Sequence, residues 1–283
     1  VSPLLLSSGA AAASDQRKVC TVLSTQTRSE LAERLAVAES TRSPIGPLVE
    51  NQPDMDVVDA YEIQLMNIRR RLEGGARIVG HKVGLSSLAM QQMMGVDEPD
   101  YGHLLADMEV YEDVPVAASR YCFPRVEVEV AFVLGADLPG EGCTVSDVLA
   151  ATAYVAPSIE LIDSRITDWK IGLSDTIADN ASSAGFVLGK ERVQPSEIDL
   201  LTIDAVLYRG GESIAEGRSD AVLGNPVTAV SWLARKVAGF GVRLKAGDIV
   251  LPGSCTRAID AHAGDRFRAE FAGLGTVSLD FVE

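Results

Sequence analysis

The chain has 283 residues, of which 47% are apolar and 23% charged, a composition that excludes a disordered polymer and leaves ample length for a packed core. Its formal net charge of -15, from 40 Asp and Glu against 25 Lys and Arg, argues against a nucleic-acid surface, which needs clustered cations to neutralise phosphates. No apolar run reaches the roughly 18 residues that a spanning helix requires, so no membrane partner is expected.

Residues 1–25 read as a loosely ordered extension. Leu4-Leu5-Leu6 and the alanines around it lack the basic residues that open a signal peptide, and a cytoplasmic location is expected. Cys20, Cys122, Cys143 and Cys255 lie far apart with no paired spacing, which fits reduced thiols better than a disulfide framework or a zinc site. Residues 26–283 read as a single domain, mainly helical over 26–105 and β-rich over 106–283. Helical spacing begins at 27–35, with Thr27 or Ser29 as N-cap, and three prolines make 42–54 a loop. A long helix is expected over 56–72, closed by Gly74-Gly75, with Arg69-Arg70-Arg71 decorating its surface. Residues 78–84 read as a strand entering a glycine turn, and a helix follows from Ser86 or Ser87 through Met94.

Further strands are expected at 126–134, 158–163, 184–188, 202–208, 247–252 and 266–282, and a helix opens at Asn225-Pro226 and runs through Lys236. Strands outnumber helices after residue 105 without regular alternation, which predicts an α+β protein with a large mixed or antiparallel sheet. The stretch 185–191 looks like a phosphate loop but is one residue short, and Glu191 stands where a magnesium-binding Ser or Thr would be.

The segment Arg125-Val126-Glu127-Val128-Glu129-Val130 carries the chemistry. Strand alternation puts the valines on one face and Glu127 and Glu129 on the other, roughly 7 Å apart along the chain. Like charges that close call for either solvent or a cation between them. Glu160 stands in the apolar run 158–162, where an unpaired carboxylate is costly to bury. Three such carboxylates fit an oxygen-rich site for Mg or Mn better than a zinc site. His81, His103 and His262 share no metal-binding spacing and read as structural or exposed, with His81 a candidate to support the site. Trp169 and Trp232 are assigned to packing.

Three segments then carry a resemblance: 80–87 (Gly-His-Lys-Val-Gly-Leu-Ser-Ser), 124–129 (Pro-Arg-Val-Glu-Val-Glu) and 160–183, which opens Glu-Leu-Ile-Asp-Ser-Arg-Ile-Thr-Asp-Trp-Lys. Over roughly residues 27–282 the chain resembles the 2-keto-4-pentenoate hydratase and 4-oxalocrotonate decarboxylase group of the fumarylacetoacetate hydrolase superfamily. That resemblance implies a mixed β-sheet roll with flanking helices and a divalent metal, Mg or Mn, held by Glu127, Glu129 and Glu160. Lys82 would be the active-site lysine, and Asp100 an acidic partner that either orients Lys82 or moves a proton; Asp100 also reads as a plain turn residue after Pro99. It further implies a homo-oligomer, a pentamer or decamer, and possible association with the downstream aldolase.

The implied reaction adds water to a small anionic substrate, 2-hydroxypenta-2,4-dienoate or a short alkyl homologue, giving a 4-hydroxy-2-oxo acid in the meta-cleavage degradation of aromatic compounds or steroids. Lys82 would act as a fixed positive charge or as a proton donor, the first needing no pKa tuning. Asn180, Ser182 and Ser183 are either substrate hydrogen-bond partners or members of an ordinary loop, and Asp163 with Arg165 reads as a structural pair. The alternatives are a 4-oxalocrotonate decarboxylase, which would want a further cation such as Arg165, Arg257 or Lys170 in its pocket, an acylpyruvate-type hydrolase using His81 with Glu98, and a non-catalytic partner subunit. Residues 250–257 resemble the hydratases, since the decarboxylases tend to have a second Gly in place of Ser254.

Overall fold

Two β-sheets face each other across a shared apolar layer in residues 23–283, the part of the chain that this computed structural model describes. The extension and Cys20 therefore lie outside the described residues, apart from Leu23, Ser24 and Thr25. Helices come first. Helix α1 (Thr25–Thr41) starts earlier than the spacing predicts, because the Ser24 hydroxyl accepts the Thr27 N–H and so acts as N-cap in place of Thr27 or Ser29. The proline-rich loop holds one short helix, α2 (Leu48–Asn51), and α3 (Val57–Glu73) follows with a capping box between Asp56 and Asp59. Its buried stripe of Ala60, Tyr61, Ile63, Gln64 and Ile68 packs inward.

The seven-stranded sheet has the path β2, β1, β9, β4, β5, β6, with β10 also paired to β4. In it are β1 (Ile78–Gly84), β2 (Asp100–Leu105), β4 (Arg125–Leu134), β5 (Thr152–Ile162), β6 (Ser183–Leu188), β9 (Ile249–Leu251) and β10 (Ile259–Asp260). All its pairings are antiparallel except β1 with β9. The second sheet runs β3 (Val116–Ala117), β12 (Gly275–Val282), β11 (Arg266–Phe271), β7 (Asp204–Arg209) and β8 (Glu212–Arg218). Helices α4 (Leu88–Met94), α5 (Val145–Ala151), α6 (Leu173–Ala178) and α7 (Pro226–Ala238) fill the connections, with Asn225 capping α7 and Pro226 opening it.

Two strand boundaries differ from expectation for identifiable reasons. Strand β5 begins at Thr152, before Pro157 rather than after it. The Pro157 carbonyl accepts Gly189 N–H just beyond the end of β6, so its missing donor also points to that side and the ladder to β4 stays intact. The stretch 266–282 is a hairpin rather than one strand, because Gly273 and Gly275 take positive φ and turn the chain between β11 and β12.

The alternation in β4 decides which face is which. Val126, Val128, Val130 and Phe132 are buried between the sheets with Phe267, Val277, Leu279 and Phe281. Glu127 and Glu129 therefore project from the opposite face, where a smaller apolar cluster of Leu104, Ala131, Val133, Phe186, Ile249 and Leu251 continues beside them. No helix among the described residues is long and apolar enough to cross a membrane.

Candidate metal centre

Register brings the third carboxylate to the first two. In the β4–β5 ladder Glu127 stands opposite Glu160, and Glu129 opposite Ser158, so the three Glu form one cross-strand pair and its diagonal neighbour. One carboxylate oxygen from each lies within 4.8 Å of the others. Glu129 and Glu160 are fully buried, whereas Glu127 keeps some exposure at the mouth of the group. Burial pushes the Glu160 carboxyl up to about 7, with Lys82 pulling it back, and holds Glu129 well above the carboxylate range, Glu160 and Glu127 adding to the effect.

Each buried carboxylate is hydrogen-bonded through one oxygen only. The Gly253 N–H donates to Glu129 Oε2 at 2.8 Å, and the Ser183 hydroxyl to Glu160 Oε1 at 3.0 Å. Glu129 Oε1 and Glu160 Oε2 have no hydrogen-bond partner. A buried, oxygen-only donor set with unpartnered oxygens fits a hard divalent cation and offers no His or Cys to favour zinc.

Lys82 and Asp100 reach the same face from β1 and β2. Lys82 pairs with Gly102 across the ladder and Gly84 with Asp100. The buried Lys82 Nζ donates to the Ala181 carbonyl at 3.0 Å and lies 3.5 Å from Glu160 Oε2. Burial alone would discharge it, but Glu160, then Glu127, Asp100 and Glu129, raise its pKa above the ordinary lysine value and keep it a cation. A Cβ on Gly84 would fall 2.1 Å from Asp100 Oδ1 and 3.4 Å from Lys82 Nζ, so this glycine leaves the space in which the two head groups stand. Asp100 Oδ1 has no partner, and burial, opposed by Lys82, pushes the Asp100 carboxyl up to about 6.

The polar side chains of the segment after Glu160 are tied mainly to neighbouring backbone. Asn180 does not aim its amide at the carboxylates: Oδ1 accepts the His103 N–H at 2.8 Å and Nδ2 donates to the His103 carbonyl at 3.0 Å. The Ser182 hydroxyl lies 3.4 Å from that of Thr176, and of the three residues Ser183 is the one bonded to a carboxylate of the cluster. Asn180, Ala181 and Ser182 are all left-handed, with φ of 55, 50 and 56°, a conformation that costs roughly 1–2 kcal/mol per non-glycine residue. Asp163 and Arg165 do not pair. Asp163 accepts the backbone N–H groups of Cys122 and Phe123, while Arg165 binds Asp179 at 2.6 Å, because Asp179 is the carboxylate that the turn of α6 carries back to it.

His81 projects from the other face of β1. Its ring lies 4.8 Å from that of His103 and 6.4 Å from that of Tyr101, both histidines are buried, and neither ring nitrogen of His81 has a hydrogen-bond partner. His262 is exposed beside Asp265. Trp169 does more than pack: its indole N–H donates to the Phe123 carbonyl at 3.1 Å, and the Arg125 guanidinium lies 4.3 Å from its ring centre. The contributors that sequence reasoning passed over are the Ala181 carbonyl and the Gly253 N–H. Both are backbone groups, and nothing in a residue's identity signals them.

Residues 106–282 match the fumarylacetoacetate (FAA) hydrolase C-terminal family. The chain belongs to the fumarylacetoacetate hydrolase family. Among curated members it is 44% identical over 254 residues to 2-hydroxyhexa-2,4-dienoate hydratase of Comamonas testosteroni, covering 89% of this chain and 96% of the relative. It is 43% identical over 256 residues to 2-keto-4-pentenoate hydratase of Paraburkholderia xenovorans strain LB400, covering 90% and 95%. A solved family member, 4-oxalocrotonate decarboxylase from Pseudomonas putida G7 complexed with magnesium and adipate, superimposes with a TM-score of 0.88 at 38% identity, over 92% of this chain and 99% of that one. This family member and the present chain share the mixed helix-and-sheet fold with helices leading into it.

Proposed function

We propose that this protein is a divalent-metal-dependent hydro-lyase that adds water to 2-hydroxypenta-2,4-dienoate or a short alkyl homologue, as its hydratase relatives' names describe for those proteins. The observation that carries the reading is the cluster of Glu127, Glu129 and Glu160, the last two fully buried and each with an oxygen that lacks a hydrogen-bond partner, beside a charged Lys82 and an Asp100 whose Oδ1 lacks one too. Glu127, Glu129 and Glu160 would hold Mg or Mn, which would supply a Lewis acid to the substrate.

Lys82 is a fixed positive charge facing the negative charge that develops on the C2 oxygen, in a site from which water is largely excluded. Asp100 is the group that moves a proton. Ketonisation takes a proton from the C2 hydroxyl and puts one on C5, leaving a C3–C4 double bond; water then adds OH at C4 and H at C3. A carboxyl near 6 with an open oxygen can accept and return a proton at neutral pH. Ser183 and Gly253 hold Glu160 and Glu129 in place. Mg or Mn is the proposed ion. A homo-oligomer, pentamer or decamer, association with the aldolase that consumes the product, and a cytoplasmic location in keeping with the free thiols of Cys122, Cys143 and Cys255 belong to the same proposal.

The solved decarboxylase keeps one second reading in play, since that enzyme would handle a second carboxylate. The three cations weighed for that task are engaged elsewhere: Arg165 with Asp179, the exposed Lys170 with Asp168, and Arg257 with the Ile214 carbonyl. The hydrolase reading lacks its pair, because Glu98 binds Lys236 at 2.6 Å and His81 faces away. The deciding experiment is an ultraviolet assay with Mg on 2-hydroxypenta-2,4-dienoate and on 2-oxohex-3-enedioate. Loss of dienoate absorbance that Glu127→Gln abolishes supports the hydratase; carbon dioxide release from the dicarboxylate alone supports the decarboxylase. No turnover of either would return the non-catalytic partner.

A further inference from the structure

The left-handed turn Asn180–Ser182 lies directly over the position of Lys82. Gly102 is the ladder partner of Lys82, and a Cβ there would fall 2.3 Å from the Asn180 carbonyl oxygen, so the turn's backbone rests on β2 at that register position. One residue further along β2, the Asn180 side chain closes both backbone groups of His103. On its other side the turn is tied to β5 through the Asp163 N–H, which donates to the Ser182 carbonyl at 2.8 Å, and through Ser183, whose hydroxyl reaches Glu160. Between these two anchors the Ala181 carbonyl meets the ammonium of Lys82 at 3.0 Å.

Three consecutive left-handed residues do not persist without such anchors, and strain of this kind is held only where its surroundings over-determine it. Asn also tolerates the left-handed region better than most residues, because its short amide can bond locally. We infer that Asn180 is a positioning residue: its amide clamp on His103 fixes the turn that aims the Ala181 carbonyl at Lys82, and so places the ammonium against Glu160 and the substrate. Asn180 therefore acts through Lys82 and touches neither substrate nor metal. The inference rests on the proposed electrostatic role of Lys82.

The test compares the full-length enzyme with Asn180→Gly, which keeps the left-handed conformation free of steric cost while removing both clamp bonds, and Asn180→Asp, which keeps the acceptor for the His103 N–H alone. Asn180→Gly is expected to lower kcat about tenfold or more with KM and the Mn dissociation constant changed by less than about threefold, the signature of an interaction made in the transition state. Asn180→Asp is expected to fall between. Adding Asn180→Gly to Lys82→Met should change kcat by less than about twofold, since a residue acting through Lys82 has nothing left to lose. Labelling with an amine-reactive reagent, read by mass spectrometry, should find Lys82 protected in the wild type and modified at least about tenfold faster in Asn180→Gly, as a side chain freed from local restraint opens more often. Full kcat in Asn180→Gly, losses that multiply in the double variant, or a Lys82 that stays protected would each overturn the inference. A wild type that fails to turn over the dienoate ends the functional reading instead, and the labelling result still decides this one.

Discussion

Glu129 and Glu160 are fully buried, each keeps an oxygen without a hydrogen-bond partner, and one Lys82 ammonium stands against three carboxylates, so their negative charges stay unfavourable until a further cation joins them. The Glu160 carboxyl is raised to about 7 in the fold. A raised carboxyl contributes stability that is present below its unfolded value and lost as pH rises through the folded one, so the Glu160 contribution to the metal-free protein is lost from about pH 4.5 to about pH 7. Metal binding needs the ionised form and releases protons. The gain in melting temperature on adding Mg should therefore be larger at pH 8 than at pH 5.5, and Glu160→Gln should abolish most of it; an equal gain at both values in a calorimetric scan would contradict the ligand assignment. For Asp100, replacement by Asn should lower kcat by about 10²–10⁴ while leaving Mg affinity within about threefold, the usual worth of a proton-transfer group. In the wild type kcat/KM should fall as pH drops through about 6, where Asp100 takes up its proton.

The segment from β5 to β6 shows why a recognisable sequence block is not a list of substrate contacts. Asp163 ties down Cys122 and Phe123, Asp175 accepts the Leu48 N–H at the start of α2 at 2.7 Å, and Arg165 is buried on Asp179. Among its polar side chains Ser183 is the one bonded to a Glu of the cluster. Strand periodicity made the Glu127 and Glu129 face legible, and the apolar run around Glu160 marked it as costly. The partners of Arg165 and Asn180 were not legible, because a bond from residue 165 to 179, or from 180 to 103, depends on how a left-handed turn folds back. Asp179→Ala should leave the Arg165 charge buried without its partner and destabilise the protein by about 3–5 kcal/mol, measured by urea unfolding with Mg present. A loss below about 1 kcal/mol, the worth of an exposed pair, would mean that water reaches Arg165.

At the scale of the whole molecule, a buried neutral histidine pair sets the acid limit. Gln64 donates its amide to the Tyr101 and Ile177 carbonyls, so its oxygen faces His103, which donates from Nδ1 at 3.0 Å. Burial lowers His103 to about 4 and His81 well below the ordinary value, His103 adding to the effect on His81. The unfolded chain then binds more protons than the fold between about pH 6.5 and pH 4, so stability rises with pH across that window and is lost as pH falls through it. His103 alone would account for roughly 3 kcal/mol. With Mg held saturating, His103→Gln should flatten the dependence of unfolding free energy on pH between 6.5 and 4; an unchanged slope would place the acid sensitivity elsewhere.

By itself the sequence determined the α+β class, the two faces of β4 and the cost of burying Glu160, because those follow from local periodicity and from the desolvation of charge, whereas Lys82 and Asp100 entered only through the resemblance to the family. It could not determine that β1, three strands away from β5 along the sheet, delivers Lys82 to within 3.5 Å of Glu160, or that a left-handed turn holds it there. Those arrangements come from long-range register and from backbone carbonyls and amides, which every residue carries alike and which only the tertiary fold can aim.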